Sequence, residues 1–214
     1  MHVTDTHATD MPTTDISTTD TTIGAQDVLD FWFLPPTDPQ HGASRPEWWR
    51  KDDAFDALIR ARFGATLHSA LAGGLREWDA LGAQGVLARI LVLDQFTRNA
   101  WRGTPASFAG DALALQAAIG LVDRGAHLAL RPMERWFACM PFEHAEDMAM
   151  QDRSVALFTE LAREGEAFAP ALDYALRHRD VIARFGRFPH RNPILGRVST
   201  PEEAAYLAQP GSGF

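Results

Sequence analysis

The sequence predicts an all-α fold of stacked antiparallel helical hairpins, with no sheet. Three observations carry that prediction. Apolar residues recur at helical spacing, as in Phe55, Leu58, Ile59, Phe63, Leu67 and Leu71. Periodic stretches of about ten to twenty residues are separated by short Gly/Pro turns, the pattern of adjacent antiparallel helices. No segment sustains the period-two alternation of a half-buried strand. No strict 34-residue period is visible either, so any solenoid character is degenerate.

The elements follow in order. Residues 1–23 form a tail in which Thr-Asp recurs every five positions from Thr4-Asp5 to Thr19-Asp20. With almost no large apolar side chains, it cannot offset the entropy of ordering and is expected to be disordered. Residues 24–214 form a single all-α domain, helical from near Ala25. Val28, Leu29, Phe31, Trp32 and Phe33 make a short apolar helix stopped by Pro35-Pro36. Trp48 and Trp49 cover the next helix, which Asp53 is placed to cap and Gly73-Gly74 to end. A third helix, from about Gly85 to Trp101, is apolar around most of its circumference and is expected to be the most buried. Thr104-Pro105 then reads as a cap with Pro at the first helical position. A short helix near 132–140 leads into one from about Glu143 to Arg163. The next spans roughly Phe168 to Phe185, with Gly186 in the left-handed position after it. Thr200-Pro201-Glu202-Glu203 is a capping box that opens a short final helix.

Composition narrows the function classes. The chain is 46% hydrophobic and 22% charged, with net charge −8, half of it from the four aspartates of the tail. A mildly acidic domain lacks the excess of cations that phosphate backbones demand, so no nucleic-acid partner is expected. The basic side chains are nearly all arginine, Lys51 being the one lysine. A GC-rich genome accounts for this, and so does bidentate recognition of carboxylate or phosphate. The single cysteine, Cys139, sits in an apolar run and reads as a small buried hydrophobe. With no disulfide, no signal-peptide pattern and no run of ~18 apolar residues, a cytoplasmic protein without a membrane partner is expected.

Three clusters are candidates for chemistry. The first is Leu93-Asp94-Gln95-Phe96-Thr97-Arg98-Asn99. Asp94 lies on the most buried helix, where a carboxylate needs a partner, and Arg98 is one turn on. This is either a structural ion pair or a carboxylate that orients a histidine or ligand, with Arg98 and Asn99 facing a cavity. The second is Met140-Pro141-Phe142-Glu143-His144-Ala145-Glu146-Asp147. Acidic residues suit a helix start, yet that role does not need His144. Read as one helix, His144, Met148, Gln151 and Val155 share a face, Gln151 being the polar residue in an apolar stripe. Glu143 and His144 are candidates for general acid–base catalysis. The spacing matches no well-marked zinc pattern, so no metal ligands are assigned.

The third cluster is His178 with the segment Arg184-Phe185-Gly186-Arg187-Phe188-Pro189-His190-Arg191-Asn192. His178 reads as a satisfied core histidine or as a third catalytic group. The phenylalanines anchor the loop, while Arg184, Arg187, His190, Arg191 and, further on, Arg197 are expected to reach a shared polar centre. Asp94, Glu143, Glu146 and Asp147 could neutralise these arginines.

These segments together resemble the bacterial domain-of-unknown-function family numbered 924. The resemblance rests on Val28–Phe33, Leu93–Asn99, Arg102–Pro105, Met140–Glu146 and Arg184–Thr200. It covers about residues 25–208, with Thr97 standing where the family pattern has Pro. It implies an all-α, tetratricopeptide-like superhelix and names no activity.

The function expected from the residues is a polar pocket for a small anionic ligand, with acid–base, hydrolase-like chemistry. Glu143, His144 and His178 are its candidate catalytic residues. Asp94, Arg98, Asn99, Arg184, Arg187, His190 and Arg191 are its candidate ligand contacts. No cofactor is identified. Two other readings stay open: a module that holds a peptide carboxylate in a superhelical groove, and a purely structural polar network.

Overall fold

The computed structural model describes residues 23–213. Among the described residues ten α-helices follow one another, and there is no strand. The Thr/Asp-rich tail, apart from Ile23, lies outside the described residues; Ile23 itself packs against the core.

Helix α1 (Ala25–Phe33) buries Val28, Leu29, Trp32 and Phe33. Helix α2 (Pro46–Trp49) is one turn that carries Trp48 and Trp49. Helix α3 (Asp53–Leu71) is capped by Asp52, not Asp53, because the Asp52 carboxylate accepts from the amides of Ala54 and Phe55. The central helix runs as α4 (Ala83–Ile90), a π-helical stretch at Leu91–Phe96, and α5 (Thr97–Ala100). It is the most buried element, as its apolar circumference requires, with Val86, Leu87, Ile90, Leu91, Val92, Leu93 and Phe96 all in the core.

Thr104-Pro105 opens a 3-10 turn at Pro105–Phe108, and α6 begins only at Asp111 and ends at Asp123. The stretch Pro105–Asp123, with mean hydropathy 1.3, is long and apolar enough to cross a bilayer by length and composition. The sequence reading passes over it because alanines and leucines spread its hydropathy thinly. In the fold it packs against α4 and against α7 (Pro132–Glu143), with Ala114, Ala117, Ala118 and Leu121 buried.

Three further helices complete the molecule: α8 (Met148–Ala162), α9 (Ala169–Phe185) and α10 (Pro201–Leu207). Consecutive helices α7, α8 and α9 pack side by side, as short connections dictate. Gly186 closes α9 in the left-handed conformation at φ 69°, and its amide donates to the Ile182 carbonyl at 2.8 Å. The capping box of α10 is formed in both directions between Thr200 and Glu203.

The second cluster departs most from the sequence reading. No helix starts at Glu143. Helix α7 runs through Pro141 and ends at Glu143, so Glu143 and His144 occupy a helix C-terminus. Asp147 then caps α8 by accepting from the Met150 amide. Pro141 falls in the last turn of α7, where it gives up the bond that an N–H would make to the carbonyl four residues earlier. His144 is therefore not on the same helix as Gln151. The buried Gln151 instead reaches back and donates to the carbonyls of Glu143 and Ala145 at 2.7 and 2.8 Å. It satisfies the open end of α7 and fixes the turn that presents Glu143 and His144.

Candidate functional site

A cavity of about 520 Å³ opens where the central helix, the end of α7, α9 and the Arg-rich segment converge, with α2 at its mouth. Its lining includes Arg98, Asn99, Glu143, His144, His178, His190 and Arg191. Asp94 sits directly behind this lining and is fully buried.

The π-helical stretch presents Asp94. Such widened turns recur at functional sites because they re-aim side chains that a regular helix would place elsewhere. Here the loosened ladder gains extra donors. The Thr97 hydroxyl donates to the Leu93 carbonyl at 2.8 Å, and Arg98 Nη1 donates to the Asp94 carbonyl at 2.7 Å. Thr97, the departure from the family pattern, is thus part of the brace on this turn. Gly110 packs against the same turn, so closely that a Cβ there would overlap the Leu93 carbonyl.

The Asp94 carboxylate accepts from Arg98 Nη1 at 3.0 Å, His144 Nδ1 at 2.7 Å and Gln95 Nε2 at 2.6 Å. Burial alone would raise its pKa, but Arg98 and His144 outweigh it and hold the group well below the usual carboxylate range. The His144 pKa is lowered, first by burial and then by Arg98, against the pull of Asp94. Asp94 is therefore ionised and His144 neutral, its Nδ1–H donating to the Asp94 carboxylate. That fixes the tautomer: Nε2 carries a lone pair on a side chain that lines the cavity.

Glu143 is nearly completely buried, and its Oε2 has no hydrogen-bond partner. Burial and, next, the charge on Asp94 push its pKa up to about 8. It is a carboxylic acid at neutral pH. His178 Nδ1 lies 3.4 Å from Glu143 Oε1, which by distance alone would count as an ion pair. It is not one, because burial drives His178 down to about 3 and neither group is charged. His178 Nδ1 instead donates to the Tyr174 carbonyl at 2.8 Å. His190 is likewise held neutral, pushed down to about 4 by burial and then by Arg191.

The arginines are largely matched by carboxylates. Arg98 reaches both oxygens of Asp111 at 2.8 and 3.2 Å, besides Asp94. Arg191 donates to Asp111 at 3.0 Å and to the His144 carbonyl at 2.9 Å, and its guanidinium lies over Phe108 and Phe188. Its Nε is buried without a partner. Arg102 grips Asp56 with two bonds, and Asn99 donates to the same carboxylate at 2.7 Å. At the mouth, Arg50 has no carboxylate partner among the described residues, and Lys51 contacts the exposed Asp53.

Arg184 and Arg187 do not reach the cavity. Arg184 is half-exposed and pairs with Glu202, while Arg187 makes two bonds to the buried Glu203. Arg184 on the last turn of α9 and Arg187 just past Gly186 both meet α10 and clamp that helix. Arg197 similarly pairs with Glu146 through two bonds, and Glu146 also accepts from the Phe188 amide. Glu146 thus ties down the Arg-rich loop, outside the lining of the cavity.

Sequence reasoning missed Asp56 and Asp111. Asp56 had a visible signal, since it falls in register with Ile59 and Phe63 on the apolar stripe of α3. Asp111 had none, because an acidic residue in the first turn of a helix is ordinary. Cys139 is buried with its thiol pushed up to about 12, as expected of a packed hydrophobe. Among the described residues, no group of three or more His, Cys, Asp or Glu is arranged to hold a metal ion.

The sequence matches the family described as bacterial protein of unknown function (DUF924) over residues 28–211. A solved structure of a protein of unknown function from Agrobacterium tumefaciens is similar, at 41% identity and a TM-score of 0.75. The likeness covers 86% of this chain and 96% of that one. No curated protein matches the sequence.

Proposed function

This chain belongs to the bacterial DUF924 family, and we propose that its cavity binds a small organic anion and carries out acid–base chemistry on it. His144 accepts a proton at Nε2, and Asp94 orients it and steadies the imidazolium that forms. Glu143, held as a carboxylic acid, is the proton donor to a developing oxyanion or leaving group. A neutral acid beside an oriented histidine is the pairing that proton transfer in both directions requires. Arg191, and Arg50 with Lys51 at the mouth, draw and hold the anion.

The observation that carries the reading is the Asp94–His144 bond of 2.7 Å beside the buried side chain of Glu143, with His144 and Glu143 both lining one cavity. The arginine pairing weakens a reading by charge alone, since Asp94, Asp111 and Asp56 answer Arg98, Arg191 and Arg102. A peptide carboxylate in an open, tetratricopeptide-like groove is the second reading, favoured by the unpaired Arg50 at the mouth.

The test is turnover in a small-molecule extract of bacterial cells, followed by mass spectrometry, with wild type and His144→Gln in parallel. A compound consumed by wild type and spared by His144→Gln is the expected result. No difference between the two proteins, with both folded, would overturn the acid–base reading.

A further inference from the structure

We infer that the molecule carries a second binding site, for the phosphate group of a small phosphorylated compound, in a pocket lined by Arg76, Arg89 and Arg124. It stands apart from the acid–base cavity: among the described residues, none lines both. The inference does not depend on the function proposed above.

The pocket has a volume of about 160 Å³ and lies between the 3-10 turn at Arg76–Leu81, α4 and α6. Water takes about 30 Å³ per molecule, so the space holds roughly five waters, about the bulk of one tetrahedral oxyanion. Among the described residues that line it are three guanidiniums and one carboxylate, Asp79. Both Asp79 oxygens are engaged by Arg89, from Nε at 2.9 Å and Nη2 at 2.7 Å. That pair holds the Arg89 side chain, 11% exposed, in place and leaves its Nη1 without a hydrogen bond among the described residues. Among the same residues Arg76 spends only Nε, on the Gly73 carbonyl at 3.3 Å, and the Arg124 side chain makes no hydrogen bond or ion pair. The neighbouring acids do not answer them: Asp123 is taken by Arg153 at 2.6 Å, and Glu77 does not line the pocket. Three cations and one carboxylate leave two positive charges, in a chain whose net charge is −8. Two charges and open N–H edges on planar guanidiniums match a phosphate monoester, which is close to a dianion at neutral pH.

The placing of Arg124 is a second observation. A cation at the end of α6 is ordinary, because the open carbonyls there favour it. Arg124 does not stay with those carbonyls. Its guanidinium folds back one turn over Gly120, where a Cβ would come within 3.2 Å of Nη1. Glycine is a poor residue inside a helix, and here it lets the guanidinium lie against α6 beside the pocket. Gln116, one turn earlier on the same face, also lines the pocket and offers a further N–H. An acidic chain repels a polyanion such as nucleic acid or an anionic membrane, and the pocket has room for one group. A small molecule with a single phosphate is the ligand that fits.

The test is titration of the isotope-labelled full chain with inorganic phosphate, glycerol 3-phosphate and acetate at constant ionic strength, followed by NMR. The expected result is saturable amide shifts in residues 76–89 and 116–124, with both phosphates binding at least ~10-fold more tightly than acetate. Arg76→Ala and Arg124→Ala, both at exposed positions that tolerate truncation, should each weaken phosphate by about 10-fold or more. Shifts confined to the acid–base cavity, no preference for phosphate over acetate, or undiminished binding by both variants would overturn the site. Tighter binding of a phosphoserine peptide, or of vesicles containing a phosphoinositide, than of glycerol 3-phosphate would overturn the small-molecule assignment.

Discussion

Replacing Glu143 by Gln keeps the shape of the side chain and removes its titration. In the native protein the carboxyl holds its proton up to about 8, against an ordinary 4.5, because it is buried and because Asp94 is charged beside it. A native state that keeps a proton the unfolded chain has released loses stability as pH rises. For Glu143 that stability is fully present below about 4.5 and is lost as pH climbs to about 8. At about 1.4 kcal/mol per pH unit the ceiling is roughly 5 kcal/mol, and relaxation around a buried charge reduces it. The histidines work in the opposite direction. His178 and His190, held down to about 3 and about 4, destabilise the native state only below their ordinary 6.5. Comparing Glu143→Gln with wild type cancels their contribution. Urea unfolding of both proteins from about pH 5 to about pH 9 should show the variant gaining on wild type by at least ~2 kcal/mol, with a plateau above about pH 8. A stability difference that is flat with pH, or that grows in favour of wild type, would show that Glu143 is ionised in the native protein. The proton-donor role would fall with it.

Four further outcomes follow from the same geometry. Asp94→Ala leaves Arg98 with Asp111 as its one carboxylate and His144 Nδ1 without its acceptor, and should cost about 1–3 kcal/mol in denaturant unfolding. Gly110→Ala pushes a methyl group into the Leu93 carbonyl; overpacking there should cost about 1–3 kcal/mol and displace the π-helical turn, which a lowered melting temperature and shifted amide signals near Asp94 would register. Glu203, held down to about 2 chiefly by Arg187, stabilises the C-terminal segment above its ordinary 4.5, and that contribution fades as pH falls toward 2. Glu203→Gln should therefore speed amide hydrogen exchange across residues 192–207 at neutral pH and much less near pH 2. Cys139, with its thiol pushed up to about 12, should react with iodoacetamide at least ~100-fold more slowly in the native protein than in urea.

Much of the fold was legible because helices write local signals. The apolar circumference of residues 86–96, the left-handed stop at Gly186 and the Thr200–Glu203 capping box each depend on neighbours within a turn or two. Competing local signals that stand side by side are settled only by the fold. Asp52 and Asp53 are adjacent and only one caps α3. The run of acids after Pro141 looked like a helix start, yet α7 ends there, held by the Gln151 side chain and by Arg191 on the His144 carbonyl. Those two donors come from α8 and from a segment almost fifty residues on, so no local pattern could announce them.

The sequence by itself determined the helical class, the buried central helix and the residue types that could take part in acid–base chemistry. It also determined that so many arginines would need carboxylates. Which arginine met which carboxylate was decided only in three dimensions. Asp94 faces Arg98 and His144, Asp111 faces Arg98 and Arg191, and Glu203 draws Arg187 away from the cavity. The reason is physical. Helix formation is governed by interactions over three or four residues, whereas the charge and protonation state of a buried group depend on burial and on partners that arrive from any distance along the chain. Arg-Phe-Gly-Arg-Phe-Pro-His-Arg-Asn reads as one cationic unit in sequence; the turn at Pro189–Arg191 parts a clamp on α10, Arg184 and Arg187, from the single arginine at the site, Arg191.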